Sequence, residues 1–316
     1  MSEIHCIPTR NAYGEEILAL GRDDPDVYVV DADIGKSCKT IPFAEALPGQ
    51  YVNVGIAEQN ACGVAAGLAA CGKIPFVTTY AVFGSMRMCE QIRQEVCYPH
   101  LNVKIACSHG GLTPANDGAS HQGIEDMGIL RTLPNMTIVM GCDYWSTRRL
   151  VRAAARLDGP VYLRFTRDAV PAVYPESARF TIGRANMLRQ GKDVTIIANG
   201  DVMSVALSAV DLLAADGVHA GLLDMHTIKP IDREAVLAAI AETGAIVTVE
   251  DHNIINGLGS AVSEIVAEEG GARLKRIGIR DHFGESAPYD RLLAKSGITS
   301  EAIAVACRTL MEAKKA

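Results

Sequence analysis

The 316-residue sequence lacks the cysteine and histidine spacings that bind structural or catalytic zinc. Its nine cysteines are scattered without C-x-x-C pairs, and its eight histidines show no H-x-x-x-H spacing. An odd number of scattered cysteines indicates a reducing compartment and structural thiols, not a disulfide framework. We therefore expect a cytoplasmic protein that holds no catalytic metal by itself.

Long apolar runs and a positive charge excess are also missing. No apolar run approaches the roughly 18 residues of a membrane span, and Met1–His5 show no secretory signal. The formal net charge is −7, whereas nonspecific nucleic-acid binding requires a basic surface. These absences predict a protein that binds neither membranes nor nucleic acids.

Two glycine-containing segments resemble nucleotide motifs but lack an essential position. Gly35-Lys36-Ser37 has Val30 where a phosphate-binding P-loop requires glycine. Gly257-Leu258-Gly259 has Val262 at the third glycine position of a dinucleotide fingerprint. We expect neither a nucleotide P-loop nor an NAD site.

Strand and helix patterns alternate along the whole chain. Six short apolar strands between residues 26 and 164 alternate with helices, which predicts a mostly parallel, doubly covered sheet. Among these helices, one is expected over 82–98 and another over 121–133. The pattern breaks near Asp168–Gln190, and a second series of four strands and four helices follows. The prediction is an α/β protein of two doubly wound domains, residues 1–180 and a smaller domain at 190–316.

The stretch from Val54 to Asp126 places an acid, two aromatics and two histidines near predicted strand ends and helix starts, where α/β proteins assemble sites. Glu58 precedes a helix rich in small apolar residues. An acid in a first helical turn is stabilised by the helix dipole, but an unpaired buried carboxylate is costly. Glu58 is therefore either a helix-start acid or an acid that contacts a ring nitrogen of a ligand.

Three motifs in this stretch resemble the transketolase family of thiamin diphosphate enzymes. Their order and spacing match the family's pyrimidine-binding domain, and 190–316 resembles its C-terminal domain. The motifs are Gly55-Ile56-Ala57-Glu58-Gln59-Asn60, Thr79-Tyr80-Ala81-Val82-Phe83, Asp117-Gly118-Ala119-Ser120-His121-Gln122 and, in the second domain, Asp281-His282-Phe283-Gly284-Glu285-Ser286.

This resemblance implies a role for each matching residue in cofactor binding. Glu58 matches the glutamate that bonds N1′ of the aminopyrimidine and thereby assists deprotonation of the cofactor's reactive carbon. Phe83 matches the aromatic residue that stacks on the aminopyrimidine ring. Tyr80 and Ile56 are expected in the same pocket.

The resemblance also implies a set of substrate contacts. His109 and His121 match channel histidines that donate hydrogen bonds and shuttle protons, and both are expected to be catalytic with Glu58. Asp117 matches a residue that bonds a sugar hydroxyl. Arg10, Ser37 and Arg167 match the contacts to a sugar phosphate, for which the guanidinium fork is well suited.

One family motif is absent. Family members hold magnesium and the diphosphate through Gly-Asp-Gly and a downstream asparagine, but the sequence contains no Gly-Asp-Gly. The resemblance therefore implies the C-terminal subunit of a split transketolase. Its N-terminal partner would carry the diphosphate and Mg2+ site, plausibly in an α2β2 assembly that transfers a two-carbon ketol unit between phosphorylated sugars.

Three alternatives stay open on the sequence. One is a 1-deoxy-xylulose-5-phosphate synthase, which shares a pattern like Leu130-Arg131-Thr132-Leu133-Pro134-Asn135 but usually carries all domains in one chain. Another is the β subunit of a 2-oxo acid dehydrogenase, whose histidine loop resembles His-Ser-Gln where this chain has Ser120-His121-Gln122. The third is a noncatalytic regulatory homologue, against which the retained Glu58 and Phe83 argue.

Overall fold

A computed structural model describes residues 6–315 of the chain, with side chains through residue 313. The strands are β1 (Cys6–Pro8), β2 (Val27–Asp31), β3 (Tyr51–Asn53), β4 (Ile74–Tyr80), β5 (Lys104–Ser108), β6 (Thr137–Met140), β7 (Val161–Arg164), β8 (Ala169–Pro171), β9 (Asn186–Arg189), β10 (Val194–Ala198), β11 (Ala220–Asp224), β12 (Thr227–Lys229), β13 (Ala245–Asn253) and β14 (Arg273–Ile279). The α-helices are α1 (Thr9–Asp23), α2 (Gly35–Cys38), α3 (Ile41–Ala46), α4 (Glu58–Ala70), α5 (Ala81–Met86), α6 (Cys89–Gln91), α7 (Asp126–Arg131), α8 (Tyr144–Arg156), α9 (Met203–Ala215), α10 (Arg233–Thr243), α11 (Leu258–Glu269), α12 (Tyr289–Lys295) and α13 (Ser300–Lys315).

The first sheet has the strand order β12-β6-β7-β5-β4-β2-β3. Strands β2 to β7 are mutually parallel, so the predicted six-stranded parallel sheet is confirmed. Its central strands read as continuous apolar runs because helices cover both faces. The carboxyl ends of β4, β5 and β7 therefore meet at one edge of the sheet.

A seventh strand, which the sequence patterns did not predict, joins this sheet from the second half of the chain. Strand β12 pairs antiparallel with β6, and its three residues before Pro230 are too short to show a periodic pattern. The second sheet has the order β14-β13-β10-β11-β9, with β9 antiparallel to β11. The predicted α/β class with two covered sheets is confirmed.

The two sheets share a continuous apolar core. One cluster of buried side chains runs from Val30 and Ile105 in the first sheet to Ile246 and Leu258 in the second half of the chain. Separate clusters cover the outer faces of the two sheets. Because the shared cluster spans both sheets, loops of the first half are held against the second half.

Two predicted helices are shorter or more irregular than expected. The helix predicted over 82–98 is divided into α5, α6 and a π-helical turn over Ile92–Cys97. The helix predicted over 121–133 is only Asp126–Arg131, because Ala119–His121 forms a separate 3-10 turn. Turn geometry at Gly118, whose φ is +81°, and the extended Gln122 interrupt the expected helix.

No helix within residues 6–315 is both long and apolar enough to cross a bilayer. The expectation that the chain begins without a secretory signal concerns Met1–His5, which lie outside the described residues.

Candidate active site

Polar side chains converge where the parallel strands of the first sheet end. Tyr80 is the last residue of β4, His109 directly follows β5, and Arg167 lies in the loop after β7. Glu58 begins helix α4 after the β3 strand. Loops that follow these strands bring Asp117 and His121 to the same edge, as parallel sheet architecture favours.

Glu58 is a buried acid with a single protein partner. Its side chain is 6% exposed, and Oε1 accepts a hydrogen bond of 2.8 Å from Nη1 of Arg87. Within residues 6–315, Oε2 accepts no hydrogen bond from protein. The carboxylate thus has one oxygen held by a cation and one oxygen available to a ligand.

Arg87 links this acid to the aromatic side chains. Its guanidinium lies 4.1 Å from the ring centroid of Phe83, a distance typical of a cation–π contact. The two residues are four positions apart along an irregular helical segment, so they share a face. Arg87 therefore places the Glu58 carboxylate beside the Phe83 ring.

Phe83 belongs to what we call the aromatic–histidine cluster, formed by Tyr80, Phe83, His109 and His121. The ring centroids of Tyr80 and His109 are 3.8 Å apart, and those of Tyr80 and Phe83 are 5.7 Å apart. His121 lies 5.8 Å from Phe83 and 5.9 Å from Tyr80. The structure thus brings Tyr80 and Phe83 together with the two predicted channel histidines.

His109 is the most constrained member of the cluster. It is 1% exposed and its backbone φ is +65°, a conformation that is uncommon outside glycine and that clusters at functional sites. Burial, together with the charges of Arg10, Arg167 and His121, lowers the pKa of His109 to about 3. Its Nδ1 lies 2.7 Å from Oγ of Ser108. His109 is therefore a neutral imidazole with a fixed orientation.

A cationic rim surrounds this imidazole. Arg10 donates from Nη1 to the backbone oxygen of Ser37 at 3.1 Å, and the hydroxyl of Tyr80 hydrogen-bonds the Ser37 side chain. Nε of Arg167 lies 3.3 Å from Oδ2 of Asp117. Burial and the charge of Arg167 lower the pKa of Arg10, because two guanidinium groups face the same space. Such an arrangement favours an anionic ligand.

Ile56 and Asp117 are exposed, and His121 is partly exposed. Ile56 is 76% exposed two residues before Glu58, and within the described chain it joins none of the ring contacts above. His121 lies on the exposed 3-10 turn, with Nδ1 at 2.9 Å from Oγ of Ser120. The side chains of Ile56 and His121 have room to contact a ligand or another chain. Across residues 6–315, no group of three or more histidine, cysteine or acidic side chains has the geometry to hold a metal ion.

Asp251, which the sequence patterns did not single out, supports the loop behind His109. Its Oδ2 accepts a 2.8 Å hydrogen bond from the backbone N–H of Leu112. Gly111 lies directly beneath, with φ at +62°, and a Cβ there would lie 2.1 Å from the same carboxylate oxygen. Glycine is therefore required at this contact.

The Asp251 carboxyl is itself part of a buried acid pair. The carboxyl of Asp201 lies beside it, and the hydroxyl of Tyr289 donates to Asp201 and lies 3.3 Å from Oδ2 of Asp251. Burial and the neighbouring Asp201 hold the pKa of Asp251 well above its usual range. The Asp251 carboxyl is therefore held in its protonated form, since two like charges this close cannot both ionise at low cost.

Arg164 is a second support that sequence reasoning missed. It is fully buried and donates from Nε to Asp126 at 2.8 Å, and from Nη2 to the backbone oxygens of Gly123 at 2.8 Å and Asp251 at 3.0 Å. These bonds join the end of β7 to the histidine loop region and to the second half of the chain. Arg164 ends strand β7, a position that can indicate a functional residue. Its partners, however, are too distant in sequence to be inferred from the sequence.

Family models match both halves of the chain. The transketolase pyrimidine-binding domain matches residues 5–173, and the transketolase C-terminal domain matches residues 183–303. Together these matches cover most of the sequence. They agree with the resemblance carried by the motifs around Glu58, Phe83 and His121.

Individual proteins show the same similarity over nearly their whole lengths. A putative transketolase C-terminal section from Methanocaldococcus jannaschii is 44% identical, covering 97% of this chain and 96% of its own. A 6-deoxy-6-sulfo-D-fructose transketolase subunit from Clostridium sp. and an apulose-4-phosphate transketolase subunit from Phocaeicola vulgatus are each 40% identical. Their matches cover 96% and 98% of this chain, and 95% and 98% of those proteins.

A solved structure is also closely similar. It is described as a split gene transketolase in an inactive β4 tetramer, and it is 46% identical with a TM-score of 0.89. The match covers 97% of this chain and 98% of that chain. Similarity on this scale extends to both sheets and to the connections between them.

Proposed function

The chain belongs to the transketolase family, and from that premise we propose that it is the C-terminal subunit of a split transketolase whose active site is completed by a partner subunit. Family membership implies dependence on thiamin diphosphate and transfer of a ketol unit. The observation that carries the proposal is the adjacency of a buried acid and a stacking ring, in which Arg87 joins Glu58 to Phe83. Three relatives match this chain end to end, which supports a split subunit over a single-chain synthase.

The residues present fit the aminopyrimidine half of the cofactor. The free Oε2 of Glu58 would hold the N1′ proton, and Phe83 offers a ring face for stacking. Thiamin diphosphate, when bound, supplies the nucleophilic carbon and the electron sink of the reaction. Burial of Glu58 keeps water away from the carboxylate, so water would compete little with the bound ring for its free oxygen.

The histidines and the cationic rim fit the sugar. His109 is neutral and oriented, so it can donate one hydrogen bond to an oxygen that gains negative charge. His121 is partly exposed and near Phe83, where it can move a proton at a substrate hydroxyl. Asp117 would accept a bond from another hydroxyl, and its pairing with Arg167 holds it in place.

Arg10, Ser37 and Arg167 define the far end of the substrate site. Two guanidinium groups that face one space favour a substrate with a terminal anion. Two relatives are named after sugars that carry such a group, a sulfonate in one case and a phosphate in the other. We retain a phosphorylated sugar as the proposed substrate.

The remaining assignments complete the proposal. We assign Mg2+ and the diphosphate to an N-terminal subunit, because the Gly-Asp-Gly motif is missing from this chain, and we retain an α2β2 assembly. We also retain Ile56 as a pocket residue, and the domain division at 1–180 and 190–316. All nine cysteines are free thiols, which supports a reducing, cytoplasmic location.

A substitution of Glu58 tests the proposal in the reconstituted two-subunit enzyme. Glu58→Gln keeps the shape but removes the acid, so kcat for ketol transfer should fall by about 100-fold or more. Glu301→Gln is the matched control, since Glu301 is an exposed acid in the first turn of α13. Nearly intact activity in Glu58→Gln would refute the assignment. A wild-type complex without ketol transfer would favour the noncatalytic alternative.

A further inference from the structure

A groove outside the candidate active site concentrates arginine side chains. It lies between helix α8 and segment 177–181 of the connection to the second half of the chain, and it encloses about 500 Å³ of open space. Four of its lining residues are arginines, in a chain whose formal net charge is −7. We call it the arginine groove, and its arginines are Arg149, Arg152, Arg156 and Arg179.

Helical spacing explains how three of these side chains reach one groove. Residues 149, 152 and 156 are separated by three and four positions, so they project from one face of α8. The opposite face is buried in the core through Leu150, Val151, Ala154 and Ala155. Like charges at this spacing repel, so helix stability alone does not favour the arrangement.

Carboxylates neutralise only part of this charge. Arg152 pairs with Glu16 and Asp23. Arg149 donates to the backbone oxygen of Glu176 at 2.9 Å. Considering residues 6–315, neither Arg149 nor Arg156 nor Arg179 forms an ion pair. Three guanidinium groups thus surround the groove without a carboxylate partner.

The other lining residues are compatible with a compact organic anion. Ser177 and Thr181 bring hydroxyls, while Ala153, Ala178 and Phe180 bring apolar surface. Glu16 and Glu176 line an adjoining groove that shares Arg149 and Arg152 with the arginine groove. The lining of the arginine groove itself includes no acidic side chain. Its volume lies within the range of small-molecule sites, and guanidinium forks match phosphate oxygens in geometry.

We propose that the arginine groove is a second anion site, which binds a phosphate-bearing small molecule with more than one negative charge. It is separate from the Arg10–Arg167 rim and shares no lining residue with the aromatic–histidine cluster. A ligand there would contact α8 on one side and Arg179 of the connecting segment on the other. Binding would therefore stabilise the attachment of this segment to the first half of the chain.

Calorimetric titration of the full chain with sodium tripolyphosphate tests the proposal. The titration uses about 0.15 M salt, which screens diffuse surface attraction. Arg149→Gln with Arg156→Gln should weaken binding by about tenfold or more, because each guanidinium–phosphate bond is charge-assisted. The single variant Arg179→Gln tests the other wall, and thermal melting verifies that each variant is folded.

Two control variants distinguish binding in the groove from diffuse charge attraction and from binding at the substrate site. Arg189→Gln with Arg291→Gln removes the same charge from exposed positions outside the groove. Arg10→Gln with Arg167→Gln removes the proposed substrate-anion contacts. Retained binding in both controls, with loss in the groove variants, supports the proposal. Absence of wild-type binding, equal weakening in the exposed control, retention in the groove variants or loss only in the Arg10 variant would overturn it.

A parallel titration with ATP identifies the source of the phosphate groups. Tighter binding of ATP than of tripolyphosphate would assign the groove to nucleotides, whose base would lie against Phe180 or Ala178. Equal affinity would assign it to a free phosphate chain. In either case the binding must depend on Arg149 and Arg156 for the proposal to stand.

Discussion

The carboxyl ends of the two sheets differ in the type of ionisable side chain and in exposure. At the edge of the first sheet, Arg10, His109 and Arg167 face a partly open space, and the pKa values of Arg10 and His109 are both lowered. At the edge of the second sheet, Asp224 and Asp251 are fully buried, and burial raises the pKa of each. One edge is suited to an anionic ligand, and the other has no room for one.

Buried acids at the edge of the second sheet instead support the loop that carries His109 at the edge of the first sheet. Asp251 holds the backbone of Leu112, three residues after His109, and Glu250 accepts from the backbone N–H groups of Leu258 and Gly259. Asp251 and Glu250, which would be costly to bury without partners, thus accept hydrogen bonds from backbone N–H groups. The same α/β architecture thus yields a ligand site in one domain and its support in the other.

The largest expected effect is on KM, when a charged side chain is removed from the open edge of the first sheet. Arg167→Met should raise KM for a phosphorylated donor by about 100-fold, because it removes charge-assisted bonds to the anion. The unfolding free energy should change little, since the Arg167–Asp117 pair is partly exposed. Steady-state kinetics with phosphorylated and unphosphorylated donors measures the effect. An equal KM change for both donors would contradict it, and Arg167→Lys should be intermediate.

A change at the closed edge should first affect stability. Asp251→Ala leaves the Leu112 N–H buried without an acceptor, which should cost about 2 kcal/mol of unfolding free energy. Asp251→Asn keeps an acceptor and resembles the protonated acid, so its cost should be smaller. Chemical denaturation measures both values. If Asn and Ala are equally destabilising, the description of Asp251 as a protonated acid is wrong.

The smallest effect should be a pH dependence at Asp224. Burial raises the pKa of Asp224 to about 7, whereas an unfolded aspartate has a pKa of about 3.9. Because the pKa of Asp224 is higher in the folded state, Asp224 contributes most to the unfolding free energy below about pH 4. This contribution is lost as the pH rises to about 7.

Asp224→Asn removes this titration. Between about pH 6 and pH 7, the unfolding free energy of the wild type should therefore fall by on the order of 1 kcal/mol relative to the variant. The exposed control Asp211→Asn should follow the wild-type curve. Parallel curves for Asp224→Asn and the wild type would show that Asp224 does not titrate in this range.

Sequence motifs predicted which residues would lie near the candidate site. Glu58, Tyr80, Phe83, His109 and His121 were expected there because they lie near predicted strand ends and helix starts, in motifs that resemble those of the transketolase family. The structure brings the last four into one cluster, and Arg87 joins Glu58 to it.

The supporting contacts could not be predicted because they join residues that are distant in sequence. Leu112 and Asp251 are 139 positions apart, and Arg87 and Glu58 are 29 positions apart. The positive φ of His109 has no signature in residue type, and the three residues of β12 show no period. Tertiary packing, rather than local propensity, determines each of these features.

Calorimetry with thiamin diphosphate and Mg2+ tests the central claim, that this chain provides only the pyrimidine half of the cofactor site. The purified chain alone should bind thiamin diphosphate weakly or not at all. The chain with its N-terminal partner should bind it tightly, and Glu58→Gln should weaken that binding. Tight, Mg2+-dependent binding by the chain alone would contradict the account.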